Sequence, residues 1–393
     1  MQYNQQTRAR LPLVTVVVIS YNHGKYLEDC LNSVFEQSYP RIQCIVVDNA
    51  STDGSHETIN QFRERTVPGK TFEAIMSPVN AHLTKAMMAG AAQASGAYIA
   101  FIDGDDYFFA TCIEAHVQAH LVSRVHVGAT SVDMYQSRDA DLVIGGGGYF
   151  SDFVRSGRGQ KTKFCRMENL DVFRFSGLSE GEIIKESDLH LVDRSMTRDW
   201  VWSPTSGLCF RREAVELMFS YAPNILGGTD TYLIRGISAL TGSITIDRPL
   251  AVYRVHGGNM FTKHPALANF VSPDKKLIEA SDAEVSAEII ACFKQELFNI
   301  AAKLENEDSY IEAIDMISTV GPGLRYGGSP ASYALEFLVA NRDPLVAAFG
   351  EAAYTRWRNR FLRSDWLAFL WIRFMRSLKH RASGMGRAEA GKT

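Results

Sequence analysis

Three carboxylates crowd the end of one apolar run. In AYIAFIDGDDYFFA, six mostly apolar residues, Ala97 to Ile102, are followed within four positions by Asp103, Asp105 and Asp106. Two earlier apolar runs also end in polar pairs, VVVIS in Tyr21-Asn22 and CIVVD in Asp48-Asn49. Repelling carboxylates at a strand end are tolerable when a divalent cation sits among them. An all-oxygen donor set favours Mg²⁺ or Mn²⁺ over zinc. An ion held by one or two carboxylates fills its other positions with water and phosphate oxygens. Alone, DGDD reads equally well as a solvated acidic turn, and Asp48 on a neighbouring strand end weighs against that.

The elements that must position these residues alternate over the first 120 or so. Val14–Ser20 reads as a strand. KYLEDCLNSVFEQ places Leu27, Leu31, Val34 and Phe35 on one helical stripe. CIVVD is a second strand, and HETINQFRER a second helix with Asp53 or Ser55 as its cap. FEAIM, LTKAMMAGAAQA and AYIAFID follow as strand, helix and strand. Strand and helix in turn predict a parallel sheet covered on both faces. Such sheets bind ligands outside the carboxyl ends of their strands, and all three polar ends open there. Past residue 125 the pattern loosens. IGGGGYF lacks the GKS/T ending of a P-loop and reads as a turn. SPTSGLCFRREAVELMF reads as loop, strand and helix, DTYLIRGISAL as a helix, and SITIDRPLAVYRV as one or two strands. Residues 272–381 read as almost wholly helical, with Ser272-Pro273 as a helix start.

Composition narrows the class. The chain has 393 residues, 46% hydrophobic and 22% charged, enough for two or three domains with a sizeable core. A net charge of −3 gives no argument for nucleic acid. None of the six cysteines stands in CxxC spacing, which suits reduced core thiols of a cytoplasmic protein. RARLPLVTVVVIS imitates a signal peptide, but no small-residue cleavage site follows, so it reads as a first strand. No stretch approaches the ~18 apolar residues of a membrane span.

The motifs VVVISYNHGKYLEDCLNSVFEQSYP, IVVDNASTDGS and AYIAFIDGDDYF, followed by GGTDTYLI and PLAVYRVHGGNM, resemble the family 2 glycosyltransferases of the GT-A fold. The resemblance covers roughly residues 12–262. It implies an α/β fold with a Rossmann-like, mostly parallel central sheet and helices on both faces, here followed by a C-terminal helical region. It divides the chain into a nucleotide-sugar-binding part (1–125), an acceptor-binding part (126–262) and the helical region (263–393). It also implies a metal-dependent, inverting enzyme. The donor would be a nucleoside-diphosphate sugar, with UDP or dTDP favoured, and the acceptor a saccharide or lipid-linked hydroxyl.

Residue by residue, the resemblance makes Asp103 and Asp105 the DxD pair. Asp105 would ligate Mg²⁺ or Mn²⁺, and Asp103 would contact ribose or assist the metal. Asp106 matches a common third acid. Asp48 and Asn49 match a nucleotide-contacting pair, the Asn49 amide oxygen accepting from a pyrimidine N–H. Tyr21 and Asn22 would flank the base. Lys85 would reach the diphosphate, although a lone helical lysine is ordinarily solvated. Asp230 matches the catalytic base of a Glu-Asp motif in which Thr229 replaces the usual Glu. His256 matches a late histidine that closes over metal and phosphates. Trp200 and Trp202 fall where the family builds its acceptor pocket, unless they pack in the core. A haloacid-dehalogenase-type phosphatase would need Thr or Val after its DxD and an earlier position. A sugar nucleotidyltransferase would need a Gly-rich basic loop after strand one, which ISYNHGKYL lacks. A degenerate, non-catalytic binding module would not need Asp103, Asp105 and Asp230 together.

The tail differs in charge. From Glu351 to Thr393, ten Lys or Arg stand against three acids, a balance of +7 in a chain of −3. WLAFLWIRFMRSLKHR mixes aromatics with cations, which suits an anionic membrane surface contacted through residues 351–381, such as the inner face of the cytoplasmic membrane. A helix packed on the catalytic domain and a dimer contact are the alternatives.

Overall fold

The structure, a computed structural model, describes residues 11–138, 141–144, 153–159, 163–170, 183–256, 258–259, 275–320, 324 and 332–362. Beyond Ile144 the glycine-rich run lies outside the described residues. So do Ser272-Pro273 and the tail after 362.

Among the described residues ten strands form one sheet, in the order β3 (Lys70–Met76), β2 (Ile42–Asp48), β1 (Val14–Ser20), β4 (Tyr98–Asp103), β9 (Leu208–Arg211), β6 (Ala129–Arg138), β10 (Ser243–Arg254), β5 (Tyr107–Phe108), with β7 (Asp141–Ile144) on β6 and β8 (Leu189–Val192) on β10. Strands β1 (Val14–Ser20), β2 (Ile42–Asp48), β3 (Lys70–Met76) and β4 (Tyr98–Asp103) are mutually parallel. β1 and β2 are buried at every position, as continuous apolar runs in a doubly covered sheet must be. Val16, Val18, Cys44 and Val46 point to one face, and Val17, Ile19, Ile45 and Val47 to the other. The first face is covered by α1 (Leu27–Phe35), α2 (Ser55–Arg63) and α4 (Cys112–Val122). α3 (His82–Ala92) lies on the second. Gly90 permits its close approach, because a Cβ there would come within 2.3 Å of Val17 Cγ1.

The expectation of a mostly parallel sheet holds for its first half and needs one amendment beyond it. β9 (Leu208–Arg211) runs antiparallel between β4 and β6 (Ala129–Arg138). β10 (Ser243–Arg254) pairs parallel with β6 and antiparallel with β5 (Tyr107–Phe108) and β8 (Leu189–Val192). β7 (Asp141–Ile144) pairs antiparallel with β6. Between them come α5 (Arg212–Phe219) and α6 (Thr229–Thr241). SITIDRPLAVYRV therefore forms one strand, with irregular register around Pro249, which lacks a ladder N–H.

Helices α7 (Lys275–Gln295), α8 (Leu297–Ala301), α9 (Asp308–Ser318), α10 (Tyr333–Ala340) and a helical segment over 342–362 share one apolar core with α6 and the second sheet face. A buried ion pair, Arg235 to Asp282 at 2.7 Å, ties α6 to α7. Ala353, Tyr354, Trp357 and Phe361 are buried in that core. Arg356 and Arg360 reach Asp308 and Glu312. The first part of the basic tail, 351–362, thus packs on the domain, which corrects its assignment to a membrane surface. All six cysteines are buried and unpaired.

Candidate active site

Register brings the polar strand ends together. Ser20 of β1 stands opposite Asp48 of β2, and Ile19 opposite Asp103 of β4. The loops that follow are stitched to one another. The Asn22 N–H donates to Ser51 Oγ at 2.9 Å, and its Oδ1 accepts from the Thr52 N–H at 2.8 Å. Asp53 Oδ2 accepts from Gly24 N–H at 2.7 Å, while Oδ1 accepts from Ser55 and so starts α2. Asn22, Ala50 and His82 have φ of 57°, 66° and 66°. Non-glycine residues in the left-handed region carry local strain, and these three flank the crevice. Tyr21 is 44% exposed at its rim.

Asp48 and Asn49 play different parts. Asp48 is fully buried. Its Oδ2 is held by Ser51 N–H and by His56 Nε2, both at 3.0 Å, and its Oδ1 has no hydrogen-bond partner. Asn49 is engaged internally. Its Nδ2 donates to Asn80 Oδ1 and its Oδ1 accepts from Ala81 N–H, both at 2.9 Å. The Asn49 amide oxygen thus has one of its two lone pairs engaged, while Asp48 Oδ1 has no partner. His56 was invisible to the sequence reasoning. Its only signal was a position in the first turn of α2, just beyond the STDG loop.

The acidic loop is braced on three sides. Gly104 is required there, since a Cβ would sit 2.9 Å from His23 Nδ1 and 3.0 Å from Ile19 O. Asp105 Oδ2 bonds His256 Nε2 at 2.9 Å and lies 3.9 Å from His23 Nε2. Asp106 is buried, accepting from Ser206 Oγ at 2.6 Å and from the Arg254 N–H at 3.0 Å. Ser206 Oγ in turn accepts from the Asp103 N–H. Asp106 is thus the tie between the loop, β10 and the turn before β9. His23, two residues past Tyr21, is the second site residue the sequence reading missed.

The acids differ in basicity. Burial raises the Asp103 carboxyl well above the usual range, helped by the charges of Asp105 and Asp230. Asp106 is raised for the same first reason, with Asp105 and Asp103 adding to it. For Asp105 burial also acts upward, but the His256 hydrogen bond and the His23 and His256 charges outweigh it, leaving its carboxyl below the usual range. Asp230, half-buried in the first turn of α6, is raised by burial against N–H donors from Thr231 and Thr205. A carboxylate with elevated basicity suits proton removal near neutral pH.

The structure therefore brings Asp103, Asp105, His256 and Asp230 to one cluster. Asp103 and Asp105 offer carboxylate oxygens beside His256, whose Nε2 is engaged by Asp105 and whose Nδ1 accepts from the Gly258 N–H at 3.1 Å. This is the donor chemistry of a hard cation that keeps open positions. Among the described residues no group of three or more His, Cys, Asp and Glu side chains is arranged so that it could hold a metal ion. Lys85 is exposed in the first turn of α3. Thr229, at the position of the family's usual Glu, is fully buried with Oγ1 2.7 Å from Thr84 Oγ1. Trp202 is corrected from an acceptor contact to core. It is 1% exposed, and its Nε1 donates to Ser243 Oγ at 2.8 Å. Trp200 is half-buried edge-on to it, under the Arg235 guanidinium.

Residues 15–163 match the family profile described as glycosyl transferase family 2. These residues form a family 2 glycosyltransferase domain. Together with the sheet order and the acidic loop at the strand ends, this is the GT-A fold expected from the sequence. An uncharacterized glycosyltransferase of Nostoc sp. is 28% identical over 247 residues, 63% of this chain and 66% of that protein. Glycosyltransferase GlyG of Streptococcus pneumoniae is 32% identical over 133 residues, 34% of this chain and 38% of GlyG. The chain thus spans just under two thirds of the first relative and well under half of the second. Residues 1–349 of S. aureus TarS, solved with UDP-GlcNAc, superpose at a TM-score of 0.49 with 13% identity, over 90% of this chain and 92% of that one.

Proposed function

We propose that the chain transfers a sugar, with inversion, from a nucleoside-diphosphate donor to a hydroxyl of a saccharide or lipid-linked acceptor. The observation that carries this is the convergence of Asp103, Asp105 and His256 with a raised Asp230 at the strand ends of a family 2 domain. Residues 1–125 would bind the nucleotide sugar, and 126–262 would build the acceptor side. Asp103, Asp105 and His256 would hold Mg²⁺ or Mn²⁺, which when bound neutralises a leaving diphosphate. Asp230 takes the proton of the acceptor hydroxyl as attack begins, and one base with direct displacement inverts the anomeric centre. Asp48 Oδ1 accepts an N–H of the base, which favours a uracil or thymine donor, with Tyr21 and Asn22 at its edge. Lys85 reaches the diphosphate, and Trp200 flanks the acceptor.

In the cell the reading places the protein in the synthesis of a surface polysaccharide or glycoconjugate, at the inner face of the membrane. No described helix is long and apolar enough to cross a bilayer. The basic, aromatic sequence after 362 supports contact with anionic lipid. The test is a screen of UDP-, dTDP- and GDP-sugars with Mn²⁺ and a mixture of oligosaccharide acceptors, following release of the nucleoside diphosphate as an acceptor hydroxyl, or water in its place, takes the sugar. Release by the wild type but not by Asp105→Ala is expected. No release from any donor would sink the reading.

A further inference from the structure

A groove of about 1000 Å³ runs beside the acidic loop, along the outer face of α1. α1 buries Leu27, Cys30, Leu31 and Val34, so Asp29, Asn32 and Glu36 line the groove instead. Tyr107 of β5, Arg254 of β10 and Arg138 at the end of β6 line it from the sheet. The guanidinium of Arg254 is 5.3 Å from the Tyr26 ring centre and 4.8 Å from that of Tyr107, and Asp29 Oδ2 pins it at 2.9 Å. This part of the lining is set before any ligand arrives. The groove meets the acidic cluster at His256, whose ring stacks on Tyr26 at 4.9 Å while its Nε2 holds Asp105.

The lining chemistry selects an occupant. Lys25, Arg138 and Arg254 would suit an anion, but Asp29 and Glu36 in the same groove oppose one. An acyl tail would meet charged and amide groups that it leaves unpaired. A chain of hydroxyls both donates and accepts, so it pairs with carboxylate, guanidinium, ammonium and amide alike. We propose that this groove binds a saccharide chain, the part of a glycan substrate remote from the reacting hydroxyl. The proposal rests on the glycosyltransferase reading above.

The test applies the full chain, with Mn²⁺ and a mixture of UDP, dTDP and GDP, to an array of diverse immobilised oligosaccharides. Glu36→Trp, which fills the groove at an exposed position away from His256, and Arg138→Ala are run beside it. The wild type should be retained by a subset of glycans. Each variant should lose about tenfold of that retention, as expected for one or two hydrogen bonds, with melting temperature and nucleotide affinity unchanged. If one variant melts early, the other decides. Undiminished retention of the folded variants overturns the groove, and so does a wild type that binds nucleotide yet is retained by no glycan. Retention lost in the variants, from a protein that binds no nucleotide diphosphate, would keep the groove and sink the glycosyltransferase reading.

Discussion

Two buried histidines of α4 should each weaken this domain in acid. His116 is 1% exposed on α4, with Nδ1 2.7 Å from Thr130 Oγ1. Burial pushes its imidazole from 6.5 down to about 3. The unfolded chain takes up a proton below pH 6.5 that the folded chain refuses until about 3. The contribution is therefore whole above 6.5 and falls away as pH drops between those values. Each pH unit in that window costs about 1.4 kcal/mol, so at pH 5 His116 alone costs about 2 kcal/mol. His120, buried and stacked on Tyr98 at 4.5 Å, is likewise pushed well below the usual imidazole range, by burial first, and adds a slope of the same sign. Asp103, Asp106 and Asp230, all raised, act in the opposite sense, so only a difference isolates His116. The perturbation is His116→Asn, which keeps a polar atom near Thr130 but cannot titrate. Urea unfolding at pH 7.5 and pH 5.0 should show the wild type losing about 2 kcal/mol more than the variant. Equal losses would refute the reasoning.

Three further outcomes follow from the same geometry. Asp230→Asn should leave donor affinity nearly intact and cut transfer by about 10²–10⁴-fold, read as kcat against Kd. Transfer near the wild-type rate would move the base elsewhere, with Asp199 and Glu213 next to test. Thr229→Glu restores the family's usual acid but places a carboxylate at a fully buried position beside Thr84. It should cost several kcal/mol and lower the melting temperature, and a wild-type melting curve would contradict that packing. Trp357→Ala removes a ring 1% exposed whose Nε1 donates to Asp308 Oδ1 at 2.6 Å. It should destabilise the protein by about 3–5 kcal/mol. A neutral effect in urea titration would return residues 351–362 to a surface role.

The first half of the fold was legible because its strands are buried on both faces. Runs such as VTVVVIS and YIAFID need no partner knowledge to be read, and their polar ends declare where the crevice opens. β9 was harder, since four residues of LCFR carry no sign that they insert antiparallel between β4 and β6. That Asp103, Asp105 and Asp230 lie close together was legible from motif order. What escaped is decided by contacts between loops distant in sequence. Asn49 spends its amide on Asn80 and Ala81, His56 reaches back to Asp48, and His23 closes on Asp105. Trp202 was read as an acceptor contact from its place in the family pattern, with core packing as the alternative, and its indole N–H finds Ser243 in the core. The basic tail misled in the same way, since charge composition cannot reveal that Tyr354 and Trp357 face inward from between the arginines.

The central claim is that Asp103 and Asp105 engage a nucleoside diphosphate through a divalent cation. Isothermal titration of UDP, dTDP and GDP into the full chain, in Mn²⁺ and again in EDTA, tests it most directly. The account predicts binding in Mn²⁺ that disappears in EDTA and in Asp105→Ala. At 100 times Kd the same nucleotide should stabilise the protein by about 2.7 kcal/mol. Equal affinity with and without the metal, or undiminished metal-dependent binding by Asp105→Ala, would contradict it.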